Sequence, residues 1–119
     1  MKQFSFEKLD VWKLTKDFTV DLYRATQSFP DTEKFGLVTQ LRRATVSISS
    51  NIAEGSSRRG QKDQARFYEI AFSSAIEVIN QLILSRDLGY MKVETYTALR
   101  EKLEVITAKL NRLHESVSK

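Results

Sequence analysis

Six positively charged side chains lie in one stretch of this 119-residue chain: Arg42, Arg43, Arg58, Arg59, Lys62 and Arg66. Only Glu54 and Asp63 oppose them there, so the stretch carries the entire formal net charge of +4. Arg59, Lys62 and Arg66 follow at three- and four-residue spacing, which places them on one helical face, with Arg58 on the adjoining turn. Clustered Arg and Lys bind nucleic acid by releasing counterions from its phosphates. Arg42, Arg58, Arg59, Lys62 and Arg66 are therefore the candidate nucleic-acid contacts, and a solvated helix start is the competing explanation. No exposed aromatic clearly interleaves with them to stack bases. Backbone contacts that position without reading sequence are expected.

Other chemistries lack their parts. His114 is the single histidine, on the polar side of its segment, and no His-x-x-Glu or Glu-x-x-His pair of a bundle metal site accompanies it. There is no cysteine for a thiolate site or a disulfide. Ser47, Ser49 and Ser50 have no nearby histidine to serve as base. Gly55 and Gly60 alone do not make a phosphate cradle. No enzyme, metal or cofactor is expected. The first residues, Met1 to Ser5, lack the apolar core of a signal peptide. No stretch approaches the roughly 18 consecutive apolar residues of a membrane span. A cytoplasmic protein without a membrane partner is expected.

A second constellation is polar but uncharged. Gln40, Arg43, Ser47, Asn51 and Glu54 step by three and four along one helical stripe. From Ala44 to Ala53 no residue carries a charge. A solvent face usually holds strong helix formers such as Lys and Glu, whereas Ser, Thr and Asn compete with the helical backbone for hydrogen bonds. A small, uncharged surface of this kind suits the close approach of another helix.

The elements that must position these residues are four helices, over about residues 7–28, 33–54, 62–88 and 92–116. In the first, Leu9, Trp12, Phe18, Leu22, Ala25 and Phe29 share a face, Ser5 is the expected N-cap, and Pro30 ends the run. In the second, Leu37, Leu41, Ala44, Ile48 and Ile52 form the apolar stripe, and Gly55 is expected at the left-handed position just past the helix. The third carries apolar residues from Phe67 to Ile83 over half its circumference, although one core needs a stripe of only about 100°. The excess predicts a homo-oligomer. In the fourth, Tyr96, Leu99, Leu103, Ile106, Leu110, Leu113 and Val117 make a heptad seam. Short connections make sequential neighbours antiparallel. The expected fold is all-α, a single domain spanning residues 1–119 as an antiparallel up-down four-helix bundle. A hairpin of the second and third helices sets Arg43 level with Ser74, one turn from Glu77, so a buried Arg43–Glu77 ion pair is expected.

Several runs also carry a resemblance. Phe29-Pro30, Glu33 through Leu37, QLRRATVSISSNIAEGSSR (Gln40–Arg58), FYEIAFSSAIEV (Phe67–Val78) and DLGYM (Asp87–Met91) resemble the bacterial rRNA intervening-sequence proteins. The likeness covers nearly the whole chain, from Phe6 to Leu113, and the QLRRA…SI..NIAEG run is a specific signature. The resemblance implies a four-helix bundle assembled as a homopentamer with a central channel, some members being encoded within ribosomal RNA genes. That family is similar in turn to the accessory protein of diversity-generating retroelements, a basic pentameric barrel. The resemblance thereby implies RNA or DNA, and a reverse transcriptase, as partners. Carried over by position, the motif residues are Arg42, Arg43, Ser47, Asn51, Glu54, Gly55, Ser74 and Glu77. Where the family tends to have Ala-x-Gly-Ser, this chain has Ala71-Phe72-Ser73-Ser74, and Ser73 in place of glycine argues against a very close backbone approach there. Two functions follow as expectations: a non-enzymatic oligomeric protein associated with nucleic acid, or an oligomeric scaffold that binds only protein.

Overall fold

Residues 1–118 are described by the computed structural model, and among them the chain forms four α-helices and no strand. These are α1 (Asp10–Thr26), α2 (Leu37–Ser57), α3 (Gln61–Asp87) and α4 (Val93–Val117), preceded by short 3-10 turns at Ser5–Lys8 and Asp31–Glu33. The all-α class stands, and the helices pack as a bundle of 43 × 32 × 23 Å. Ser5 is not the cap of α1; it opens the first 3-10 turn, and Leu9 stands at the α1 N-cap.

The apolar stripes meet in one core. Phe18 and Leu22 from α1, Leu41, Ile48 and Ile52 from α2, Val78 and Leu82 from α3, and Leu103, Ile106 and Leu110 from α4 are essentially inaccessible to solvent. Burial of each such side chain is worth about 1.5–3 kcal/mol. Two buried hydroxyls are satisfied within their own helices, Thr26 Oγ1 donating to the Leu22 carbonyl at 3.0 Å and Ser85 Oγ to the Gln81 carbonyl at 2.7 Å, whereas the buried Thr45 Oγ1 has no hydrogen-bond partner among the described residues.

The wide apolar arc of α3 is only partly used. Tyr68, Ala71, Ala75, Val78 and Leu82 are buried, Phe67, Phe72, Ile79 and Ile83 are half-buried, and Ile76 remains 47% exposed. No run of 18 consecutive apolar residues occurs in α3, but the helix has 27 residues and one 18-residue window in it has a mean hydropathy of 1.2, enough by length and composition for a membrane-crossing helix. In the bundle it packs against both α2 and α4 and buries the polar Gln81 and Ser85 on its core side.

Gly55 also departs from expectation. It lies inside α2, buried, and the helix continues to Ser57. A side chain there would place its Cβ 2.6 Å from Tyr68 Cε1 and 3.0 Å from Phe67 Cβ. The residue is glycine because α3 passes against it, not because the backbone turns left-handed. Among the described residues the one positive φ belongs to Gly89, at 80°, just after α3.

Glu33 ties the two loops at the other end of the molecule. Its Oε1 accepts the Leu37 amide at 3.1 Å, giving α2 a first-turn partner, and its Oε2 accepts the Tyr90 hydroxyl at 3.1 Å.

Candidate nucleic-acid interface

The turn between α2 and α3 is built by capping. Arg58 closes α2 with its amide on the Gly55 carbonyl at 3.1 Å, and Gln64 Nε2 returns to the Arg58 carbonyl at 3.1 Å. Gly60, extended at φ −88° and ψ 138°, then starts α3. This geometry presents Arg58, Arg59, Lys62 and Arg66 together at one end of the bundle, all exposed. None of the four forms an ion pair with any described residue. The free amides and partial positive charge at the α3 N-terminus add to their field.

The Arg58 guanidinium rests on the face of Phe67, 4.7 Å from the ring centroid. That stacking holds the arginine in place and occupies the aromatic face nearest the cluster. Beside it, the start of α3 and the end of α4 border an open groove lined by Lys62, Asp63, Arg66, Glu69, His114 and Val117. His114 Nε2 lies 3.3 Å from Glu69 Oε1, bridging the two helices. Asp63 and Glu69 offset the positive charge along this groove, so the field is strongest at the turn itself.

Arg42 does not belong with this cluster. It precedes Arg58 by sixteen residues, roughly 24 Å along α2. Its Nε donates to Thr26 Oγ1 at 3.0 Å and its Nη2 to the Tyr23 carbonyl at 3.2 Å, while its guanidinium stacks 4.5 Å from the Tyr23 ring. These contacts satisfy the open end of α1 and hold it to α2.

The polar stripe of α2 borders α3. Ser47 Oγ and Ser74 Oγ share a hydrogen bond at 2.9 Å, and Asn51 Nδ2 donates to Ser47 Oγ at 3.0 Å and to the Ser47 carbonyl at 2.8 Å. Part of the uncharged surface thus faces a helix of the same chain. Ser73 is exposed, and the tightest approach falls at Gly55 instead. The expected Arg43–Glu77 ion pair is absent: both side chains are exposed, and Glu77 Oε2 instead accepts Gln81 Nε2 at 3.1 Å. The Ser47–Ser74 contact sets the register four residue numbers away from the hairpin estimate. Glu54 is likewise exposed, without an ion-pair partner among the described residues.

Sequence reasoning missed Phe67 as the seat of Arg58, Tyr68 as the neighbour of Gly55, and the Glu33–Tyr90 link. Each depends on a partner contributed by another element. Among the described residues no group of three His, Asp or Glu side chains is placed to hold a metal ion.

The fold and these features define a small helical-bundle protein with a basic cap at the α2–α3 turn and a serine-lined seam between those helices. The model of the 23S rRNA-intervening sequence proteins matches residues 7–112, and the chain belongs to that family. The fold is also that of a crystallised Bacteroides thetaiotaomicron protein of unknown function from the S23 ribosomal protein family. That likeness has a TM-score of 0.80 at 22% identity, over 88% of this chain and 95% of the other. No curated protein matches the chain in sequence.

Proposed function

We propose that this chain is a non-enzymatic, cytoplasmic protein that works as a homo-oligomer and associates with RNA or DNA through phosphate contacts. The observation that carries the reading is the group of Arg58, Arg59, Lys62 and Arg66: four exposed cations at one end of the fold, none paired with a described residue. Four charges on one subunit bind weakly. Repetition around a symmetric assembly raises avidity when several caps reach one strand, and five subunits is the favoured count from the family resemblance. The helices are proposed to run up and down alternately. Contacts that pair rising numbers in α2 with falling numbers in α3, Ser47 with Ser74 and Gly55 with Tyr68, support that order.

The test is a titration of single-stranded RNA and of duplex DNA at two salt concentrations. Phosphate contacts predict affinity that falls steeply with salt. Absence of binding even at low salt favours a second reading, an oligomeric protein scaffold. Val46, Ile70 and Leu84, each about two-fifths exposed on α2 and α3, support that alternative.

A further inference from the structure

The ion pairs of this molecule are distributed unevenly. Lys102 pairs with Asp21, Lys109 Nζ lies 2.8 Å from Asp10 Oδ2, and Arg100 Nε lies 3.2 Å from Glu104 Oε2, all on the flank of α1 and α4. No ion pair among the described residues involves α2. Yet α2 exposes Arg43 and Glu54, and α3 exposes Arg66 and Glu77 among its charges, each couple eleven residues apart and so on one face of its helix, with Lys62 and Asp63 beyond Arg66 at the start of α3.

Their arrangement is regular. The Ser47–Ser74 contact fixes the register of the two helices. Four residues before Ser47 comes Arg43, and three after Ser74 comes Glu77; seven after Ser47 comes Glu54, and eight before Ser74 comes Arg66. Each couple is level to within one residue. The flank of α2 and α3 therefore shows a cation beside an anion at one height and an anion beside a cation about 11 residues away, roughly 16 Å along the helix. Val46, Ile70 and Leu84 lie exposed on the same two helices.

Glu77 is prepared for a donor. Gln81 Nε2 donates to its Oε2 at 3.1 Å, which fixes the amide orientation because a carboxylate only accepts. Gln81, only 5% exposed, then has its Oε1 without a hydrogen-bond partner. Gln81 Oε1 is enclosed, but the exposed Glu77 carboxylate keeps acceptor positions to spare, and a guanidinium supplies up to five donors.

We infer that this flank docks a second copy of the chain, with α2 of one copy laid level along α3 of the other, so that Arg43 meets the neighbour's Glu77 and Glu54 the neighbour's Arg66. A second copy is the occupant because the pattern is complementary to itself: bringing α2 of one copy level with α3 of another sets opposite charges together at both heights. The inference rests on the proposed homo-oligomer and names its contacts. It also assigns Arg66 to the interface, leaving Arg58, Arg59 and Lys62 as the cations that reach nucleic acid in the assembly.

The test uses the full chain with Arg43→Glu and Glu77→Arg, measured by light scattering against concentration. Each reversal is expected to raise the dissociation midpoint about tenfold or more, because like charges then face each other. In an equimolar mixture every contact between unlike variants again sets opposite charges together, so mixed assemblies are expected at concentrations where neither variant assembles alone, with one like-variant contact left in a ring of five. Wild-type chain that is monomeric contradicts the homo-oligomer itself. Wild-type oligomers with both reversals associating as wild type overturn this interface alone. So does restoration by the double variant R43E/E77R when mixing fails, since that outcome marks a pair within one chain. Should a reversal unfold the protein, E54R and R66E carry the same mixing test at the other end of the flank.

Discussion

Gly55 of α2 and Tyr68 of α3 are in contact because the glycine has no side chain: a Cβ at position 55 would stand 2.6 Å from the Tyr68 ring. Tyr68 is only 3% exposed, so the ring cannot swing away into solvent.

Gly55→Ala is therefore expected to destabilise the fold by about 1–3 kcal/mol, the usual cost of overpacking. In an uncrowded helix the same change stabilises by up to about 1 kcal/mol, so the sign alone separates close packing from a conformational role. Gly60→Ala, with nothing within 4 Å of the added atom, is the control for crowding and is expected to cost no more than about 1 kcal/mol, the preference for glycine over alanine at a helix N-cap. Urea denaturation of the three proteins measures both.

Arg42→Ala is expected to cost about 1–2 kcal/mol, through loss of charged hydrogen bonds to Thr26 and the Tyr23 carbonyl and of the stack on Tyr23. Nucleic-acid affinity is expected to stay unchanged. An Arg42 variant of normal stability that binds more weakly would return this residue to the binding surface.

Two tyrosines are held above the ordinary range for different reasons. Burial raises Tyr68, whereas Tyr90 is raised chiefly by its hydrogen bond to Glu33. The neutral Tyr90 hydroxyl is the form that stabilises the fold. That contribution is complete below the ordinary tyrosine value of 10.0 and is lost as pH rises through the higher folded value. Ultraviolet titration of tyrosinate is expected to show both tyrosines ionising late. Glu33→Ala should bring Tyr90 back towards its ordinary value and leave Tyr68 high. An unchanged Tyr90 titration in that variant would contradict the assigned cause.

The serine seam gives a coupling. Ser47→Ala leaves the Ser74 hydroxyl without its partner at the half-buried α2–α3 contact, and Ser74→Ala leaves the Ser47 hydroxyl with Asn51 alone. A double-mutant cycle is expected to give an interaction energy of about 0.5–1 kcal/mol. Additive effects would mean that the hydroxyls act independently.

The apolar periods of the sequence made the helices legible. In α4 the predicted seam residues Leu99, Leu103, Ile106 and Leu110 are all buried. Partners across space were not legible. A glycine three residues from a helix end reads alike whether it turns the chain or admits a neighbour, and only Tyr68 decides between them. Arg42 and Arg43 are adjacent in sequence but diverge by about 100° on the helix: one closes α1, the other faces outward. The cluster at the α2–α3 turn was readable because its members are local in sequence. The α2–α3 register was not, because it depends on how deeply two helices interlock: it sets Arg43 level with Glu77, and the two stay unpaired although both are exposed.

The central claim concerns the basic cap, and one comparison tests it most directly. RNA and DNA are titrated at low and near-physiological salt with wild-type chain and with a variant carrying Arg58, Arg59 and Lys62 as alanines, oligomer mass being checked by light scattering. Those three side chains are exposed and form no ion pair among the described residues, so the fold is expected to survive. The proposed role predicts salt-sensitive binding by wild type and a loss of at least about tenfold in a variant whose oligomer mass is unchanged. Binding by the variant equal to wild type, at both salt concentrations, would contradict it.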